Sequence, residues 1–209
     1  MRGHRKIFAL LVMLFVAALV SGASGLGQEE KPSTASALKA KVTAYEPNHE
    51  HPFGRLNPEA PPETAQFEFM VGEFTCDDES RQPDGTWKKS KAFWTASYIM
   101  NGFAIQDHFY NDNVAAVSPR VFNKQKGKWI VSYYQMPQFF AGNIWEGEKK
   151  DVGMVLESEF NAPDGNKRIS RLTFYNIRKE GYDWKAESLP GGREEDAVTN
   201  WKLSCRRTQ

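Results

Sequence analysis

The sequence predicts an all-β fold of about ten antiparallel strands in an up-and-down barrel, preceded by a leader and a largely irregular N-terminal segment. Three observations carry this. From Phe67 onward aromatic and β-branched residues dominate, turn signals recur at short intervals, and no long helical period interrupts them. Successive strands with short connections form an antiparallel meander, and closing it on itself removes both exposed edges.

The chain has 209 residues, room for one domain and extensions. Residues 1–25 read as a signal peptide. Arg2, Arg5 and Lys6 form a basic head, Ile7 to Val20 an apolar run, and the small residues "SGASG" a cleavage region. The run is shorter than the roughly 20 residues that span a bilayer. No cysteine near the cleavage region suggests a lipid anchor. No later stretch is long and apolar enough to cross a membrane, so no stable insertion is expected after cleavage. The mature protein is expected in the periplasm or secreted.

Residues 26–64 read as a linker or N-terminal extension, rich in Pro, Glu, Lys and Ala, with a short helix within 36–45. The "HEH" at His49–His51 has imidazoles that suit a metal, but on a Pro-flanked segment it reads as solvated surface, and no metal site is assigned. The formal net charge is +1, and loss of Arg2, Arg5 and Lys6 takes it to about −2. A near-neutral protein offers no broad basic surface to nucleic acid.

Residues 65–209 form the barrel domain. Turn signals at "PDG" (Pro83), "NG" (Asn101), "KQKG" (Lys124), "APDGN" (Ala162), "KEG" (Lys179) and "PGG" (Pro190) help divide it. The strands are expected at 67–78, 87–100, 103–110, 118–124, 128–137, 142–148, 152–160, 167–177, 182–189 and 197–205.

The hairpins predict register. "NG" supplies two residues that tolerate positive φ, placing Tyr98 opposite Ile105, Ala96 opposite Asp107 and Trp94 opposite Phe109. A symmetric six-residue loop over 111–116 sets Asp107 opposite Arg120 and Ile105 opposite Phe122. Folding around "KQKG" sets Phe122 opposite Trp129 and Arg120 opposite Val131. One face then carries Trp94, Ala96, Tyr98, Met100, Phe103, Ile105, Phe109, Phe122, Trp129, Val131 and Tyr133. The other carries Thr95, Ser97, Gln106, His108, Asn123 and Ser132, with some apolar exceptions. A one-residue slip would exchange the faces.

Later strands bring Trp145, Met154, Leu156, Leu172, Phe174, Trp184, Trp201 and Leu203 to one shared face. Cys205 shares the parity of Leu203, and the first and last strands of a closed barrel are neighbours. A disulfide between Cys76 and Cys205, the two cysteines of the chain, is therefore expected, as suits an exported protein. Asp107 and Arg120, the charges on the inward face of the first four hairpin-linked strands after the first, are expected to form an internal ion pair.

The segments "FMVGEFTC", "ASYIMNGFAIQDHF" and "SPRVFNKQKGKWIVSYY" resemble a bacterial family of lipocalin-like domains of unknown function, in the calycin group of barrels. Gly72, Phe74, Gly102, Ala104, Ile105, Asp107, Arg120 and Trp129 stand at the positions that carry the resemblance, which covers about 67–201. Phe74 stands where lipocalins proper usually have Trp. The resemblance implies a small barrel of lipocalin/calycin type whose interior holds an apolar molecule. A related ten-stranded family binds haem through a late histidine. This chain has no histidine after His108, itself on the outward face, so no cofactor is expected.

The expected function is binding of a small apolar ligand in the barrel interior. Trp94, Tyr98, Phe109, Phe122, Trp129 and Tyr133, joined by Trp145 and Trp184, supply apolar surface, with Asp107 and Arg120 as polar anchors. Large inward side chains can instead fill a small barrel. Two alternatives are an enzyme using Asp107 and Arg120, and an envelope interaction protein with a filled barrel. No catalytic residue is assigned, because no nucleophile–base set, phosphate loop or paired-cysteine motif occurs. The sequence does not fix an oligomeric state.

Overall fold

The computed structural model describes residues 33–137, 140–161 and 165–208, without the side chains of 140–143. The predicted leader lies outside the described residues. The strands are β1 Gly72–Arg81, β2 Trp87–Ile99, β3 Ala104–Tyr110, β4 Ala115–Asn123, β5 Lys128–Met136, β6 Phe140–Lys150, β7 Gly153–Asn161, β8 Lys167–Arg178, β9 Gly181–Pro190 and β10 Val198–Arg207. Each pairs antiparallel with the next and β1 pairs with β10, closing the barrel.

The predicted register holds between β2 and β3, where Trp94 faces Phe109, Ala96 faces Asp107 and Tyr98 faces Ile105. Met100, Asn101 and Gly102 make the turn with φ of 54°, 55° and 80°. It also holds between β4 and β5, with Phe122 opposite Trp129 and Arg120 opposite Val131. Between β3 and β4 it moves by two residues. Asp107 faces Ser118 and Ile105 faces Arg120. The cause is Asn111, whose N–H donates to Val114 O at 3.0 Å. Its Oδ1 accepts from the N–H groups of Asn113 and Val114 at 2.9 and 2.8 Å. That side-chain-closed turn shortens the loop to 111–114. An even shift leaves the β3 and β4 side chains on their expected faces, whereas Met100, expected inside, is exposed because it enters the β2–β3 turn.

The expected first strand needs correction at its start. Phe67 to Met70 belong to a 3-10 helix, Pro62–Met70, and β1 begins at Gly72. The Phe67–Phe69 alternation imitates a strand, but Pro62 in the first turn suits a helix start. Phe67 and Met70 are fully buried in the barrel end that carries the β6–β7 and β8–β9 turns. This helix is a plug.

Ahead of it, α1 (Thr34–Val42) is capped by Ser33, whose Oγ accepts from Ser36 N–H at 3.2 Å, and buries no residue. Residues 45–57 then lie across the β2–β3 turn. Tyr45 N–H donates to Asn101 Oδ1 at 3.0 Å, and Asn57 Nδ2 donates to Asn101 O at 3.0 Å. Gly102 is required here, since a Cβ would come within 2.5 Å of Arg55 O and 2.6 Å of Asn57 N.

The interior is largely apolar, and the outer surface mixes charged pairs with exposed apolar side chains such as Phe93, Val121 and Ile144. Lys91–Asp77, Lys202–Glu79 and Arg171–Glu157 pair on outward positions. Cys76 and Cys205 are direct cross-strand partners and are disulfide-bonded, their Cα atoms 4.0 Å apart.

Candidate functional site

The end of the barrel opposite the plug opens into a mouth of about 320 Å³, whose wall includes Tyr133, Gln135, Ser170, Ala186 and Trp201. Below it lies an inner chamber of about 50 Å³, sharing Tyr133, Trp145, Leu172, Trp184 and Trp201 with the mouth. Asp107, Ser118 and Arg120 supply its polar wall. Strand alternation aims these three inward from β3 and β4, which are hydrogen-bonded neighbours.

Asp107 and Arg120 are 2% and 3% exposed, and Arg120 Nη2 donates to Asp107 Oδ2 at 2.5 Å. The ion pair forms diagonally, two residues from the opposition expected. The same Oδ2 accepts from Trp94 Nε1–H at 2.7 Å. The guanidinium lies 5.1 Å from the Phe67 ring and 5.5 Å from the Phe174 ring, so the plug forms part of the anchor. Hydrogen-bonding capacity remains. Asp107 Oδ1, Arg120 Nε and Nη1 and Trp145 Nε1 are buried without a partner. Buried polar atoms are seldom left so, because desolvation without a bond costs about 1–3 kcal/mol each.

Tyr133 OH donates to Gln135 Oε1 at 2.7 Å, fixing the phenol between chamber and mouth. Burial, and then the Asp107 charge, push its pKa up to about 12. Burial also raises Tyr182 well above its ordinary value, with Asp107 adding and Arg120 opposing. Both phenols therefore stay neutral donors at ordinary pH.

Of the eight expected ligand-binding residues, Trp94, Asp107, Phe109, Arg120 and Tyr133 line the chamber. Tyr98, Phe122 and Trp129 sit at the plugged end instead. Tyr98 N–H donates to Phe53 O at 2.9 Å, Trp129 Nε1 donates to Gln66 Oε1 at 3.0 Å, and Phe122 packs on Trp129. Parity assigns a side chain to the inside but not to an end, so these three could not be separated from the rest.

Asp78 on β1 went unrecognised in the sequence as part of the site. Its Oδ1 accepts from Trp201 Nε1 at 2.6 Å, and its Oδ2 from Asn111 Nδ2 at 2.7 Å and Ser90 Oγ at 3.1 Å. It thereby fixes an indole of the chamber wall and the β3–β4 loop together. A signal existed: Asp78 has the parity of the inward Phe74 and Cys76. Trp201 in turn packs edge-on against Phe109 and Trp184, at 5.3 and 5.2 Å between ring centroids.

Among the described residues, no cluster of three or more His, Cys, Asp or Glu is placed to hold a metal ion. The chain matches no protein-family model and no curated protein. The closed ten-stranded antiparallel barrel is consistent with a calycin-like fold.

Proposed function

We propose that this protein binds a small, largely apolar molecule in the open end of its barrel, as a lipocalin-like carrier or sensor. The observation that carries the reading is the chamber itself. An aromatic-walled cup opens outward, and its floor holds a buried ion pair with unused donors and an unused acceptor. Apolar walls with a few convergent polar groups are what ligand pockets combine. Trp94, Phe109, Tyr133, Trp145, Trp184 and Trp201 would enclose the ligand, and Asp107 and Arg120 would anchor it.

Export belongs to the same proposal, supported by the disulfide and by the leader-like composition of residues 1–25. Native mass spectrometry of the protein purified from its own host, followed by solvent extraction, tests both. A reproducible small adduct on a chain lacking the leader is expected. A clean apo mass, with no adduct after offering lipids and other small apolar molecules, would overturn the binding reading.

A further inference from the structure

The class of ligand can be narrowed from the floor of the chamber, an inference that rests on the binding reading above. Charge comes first. Asp107 and Arg120 neutralise each other at 2.5 Å, so the floor offers no net charge to attract an ion. An anionic head meeting Arg120 would also meet Asp107, and an ammonium meeting Asp107 would also meet Arg120. Either would lose its hydration in an apolar cup without a compensating counter-charge.

Hydrogen bonding comes second. On the side chains that line the chamber, the buried groups without a partner are one acceptor, Asp107 Oδ1, and three donor nitrogens, Arg120 Nε, Arg120 Nη1 and Trp145 Nε1, beside the Ser118 hydroxyl, which can donate or accept. A head that only accepts would leave the carboxylate oxygen unpaired, and one that only donates would leave the guanidinium and indole unpaired. Each omission retains a desolvation cost. A carboxamide has an N–H for the carboxylate and a carbonyl oxygen whose two lone pairs serve two of the three donors. Size comes third. A chamber of about 50 Å³ fits a head group, and a mouth of about 320 Å³ fits a short apolar tail.

We infer that the chamber selects a neutral head that both donates and accepts hydrogen bonds, of the carboxamide kind, on a short apolar tail. Four water-soluble probes of matched length test this: hexanamide, hexanoate, hexylammonium and 2-heptanone. Trp94, Trp145, Trp184 and Trp201 line the chamber, so intrinsic fluorescence reads binding of each. The expected result is hexanamide binding at least about tenfold tighter than the other three, because a site built for hydrogen bonds rejects analogues lacking them. Equal affinity for all four, or tighter binding of hexanoate, would overturn the carboxamide selectivity while leaving the binding reading intact. Binding of none, to protein shown folded by circular dichroism, would overturn both.

Trp145→Phe provides a second reading, because it keeps a ring in the wall and removes one unpartnered donor. Hexanamide affinity should fall about fivefold or more, in line with a lost buried hydrogen bond. Unchanged affinity in the folded variant would remove Trp145 from the head site.

Discussion

Two carboxylates, Asp78 and Asp107, are equally buried on the inner face of the barrel, each 2% exposed. Each accepts an indole N–H, from Trp201 at 2.6 Å and from Trp94 at 2.7 Å. There the likeness ends. Asp78 engages both oxygens, with three uncharged donors between them. Asp107 takes both its bonds on Oδ2, one from a guanidinium, and leaves Oδ1 without a partner. A carboxylate with both oxygens engaged is a structural brace, holding wall and loop. An unsaturated one beside a cavity keeps capacity for a ligand. Burial alone does not separate the two roles; an oxygen left without any partner does.

The largest way to break this comparison is Asp107→Ala, which strands a buried guanidinium and should cost about 3–5 kcal/mol. Arg120→Ala should cost a similar amount. The double replacement should cost less than the two together by at least about 1 kcal/mol in chemical denaturation, since neither charge is then left alone. Strict additivity would contradict the ion pair.

Reduction of Cys76–Cys205 comes next. The bridge spans 129 residues, and releasing it should lower stability by about 2–4 kcal/mol. It lies two residues from Asp78 along β1, so Trp201 should loosen while the Asp107–Arg120 pair persists. A thermal melt unchanged by reductant, with verified free thiols, would contradict that contribution.

Asp78→Ala should cost about 2–3 kcal/mol, leaving three donors unmatched. Equilibrium urea melts measure it, and a loss under about 0.5 kcal/mol would show the brace to be dispensable.

The smallest effect is a titration. Tyr133 is raised from 10.0 to about 12, by burial first and by Asp107 second. Its neutral form is favoured in the folded state, so its contribution to stability is fully present below pH 10.0 and is lost as pH rises through about 12. Asp107→Asn should lower the Tyr133 pKa part of the way toward 10.0, whereas Asp78→Asn should leave it in place. Side-chain carbon NMR of Tyr133 distinguishes them.

Much of the barrel was legible because strand parity is a strong constraint. The β2–β3 and β4–β5 pairings, the inward face and the cysteine partnership all follow from alternation and turn chemistry. The β3–β4 register was missed by two residues because Asn111 closes a shorter loop with its side chain, an interaction that alternation does not encode. The plug was hidden because Phe67 and Phe69 have strand spacing, while Pro62 alone marked the helix start. The Asp107–Arg120 pair was legible because charges are rare on an aromatic face. Asp78 was not, because "CDDES" reads as ordinary polar surface unless its parity is followed.

The most direct test of the central claim is a ¹H–¹⁵N NMR titration that follows the indole N–H and arginine Nε–H resonances as hexanamide is added. Trp145 Nε1–H and Arg120 Nε–H should move most, both being buried without a partner on side chains that line the chamber. Trp129 Nε1–H, held by Gln66 at the plugged end, should barely move. A largest shift at Trp129, or none at Trp145 and Arg120 when binding is saturated, would contradict a ligand head on the chamber floor.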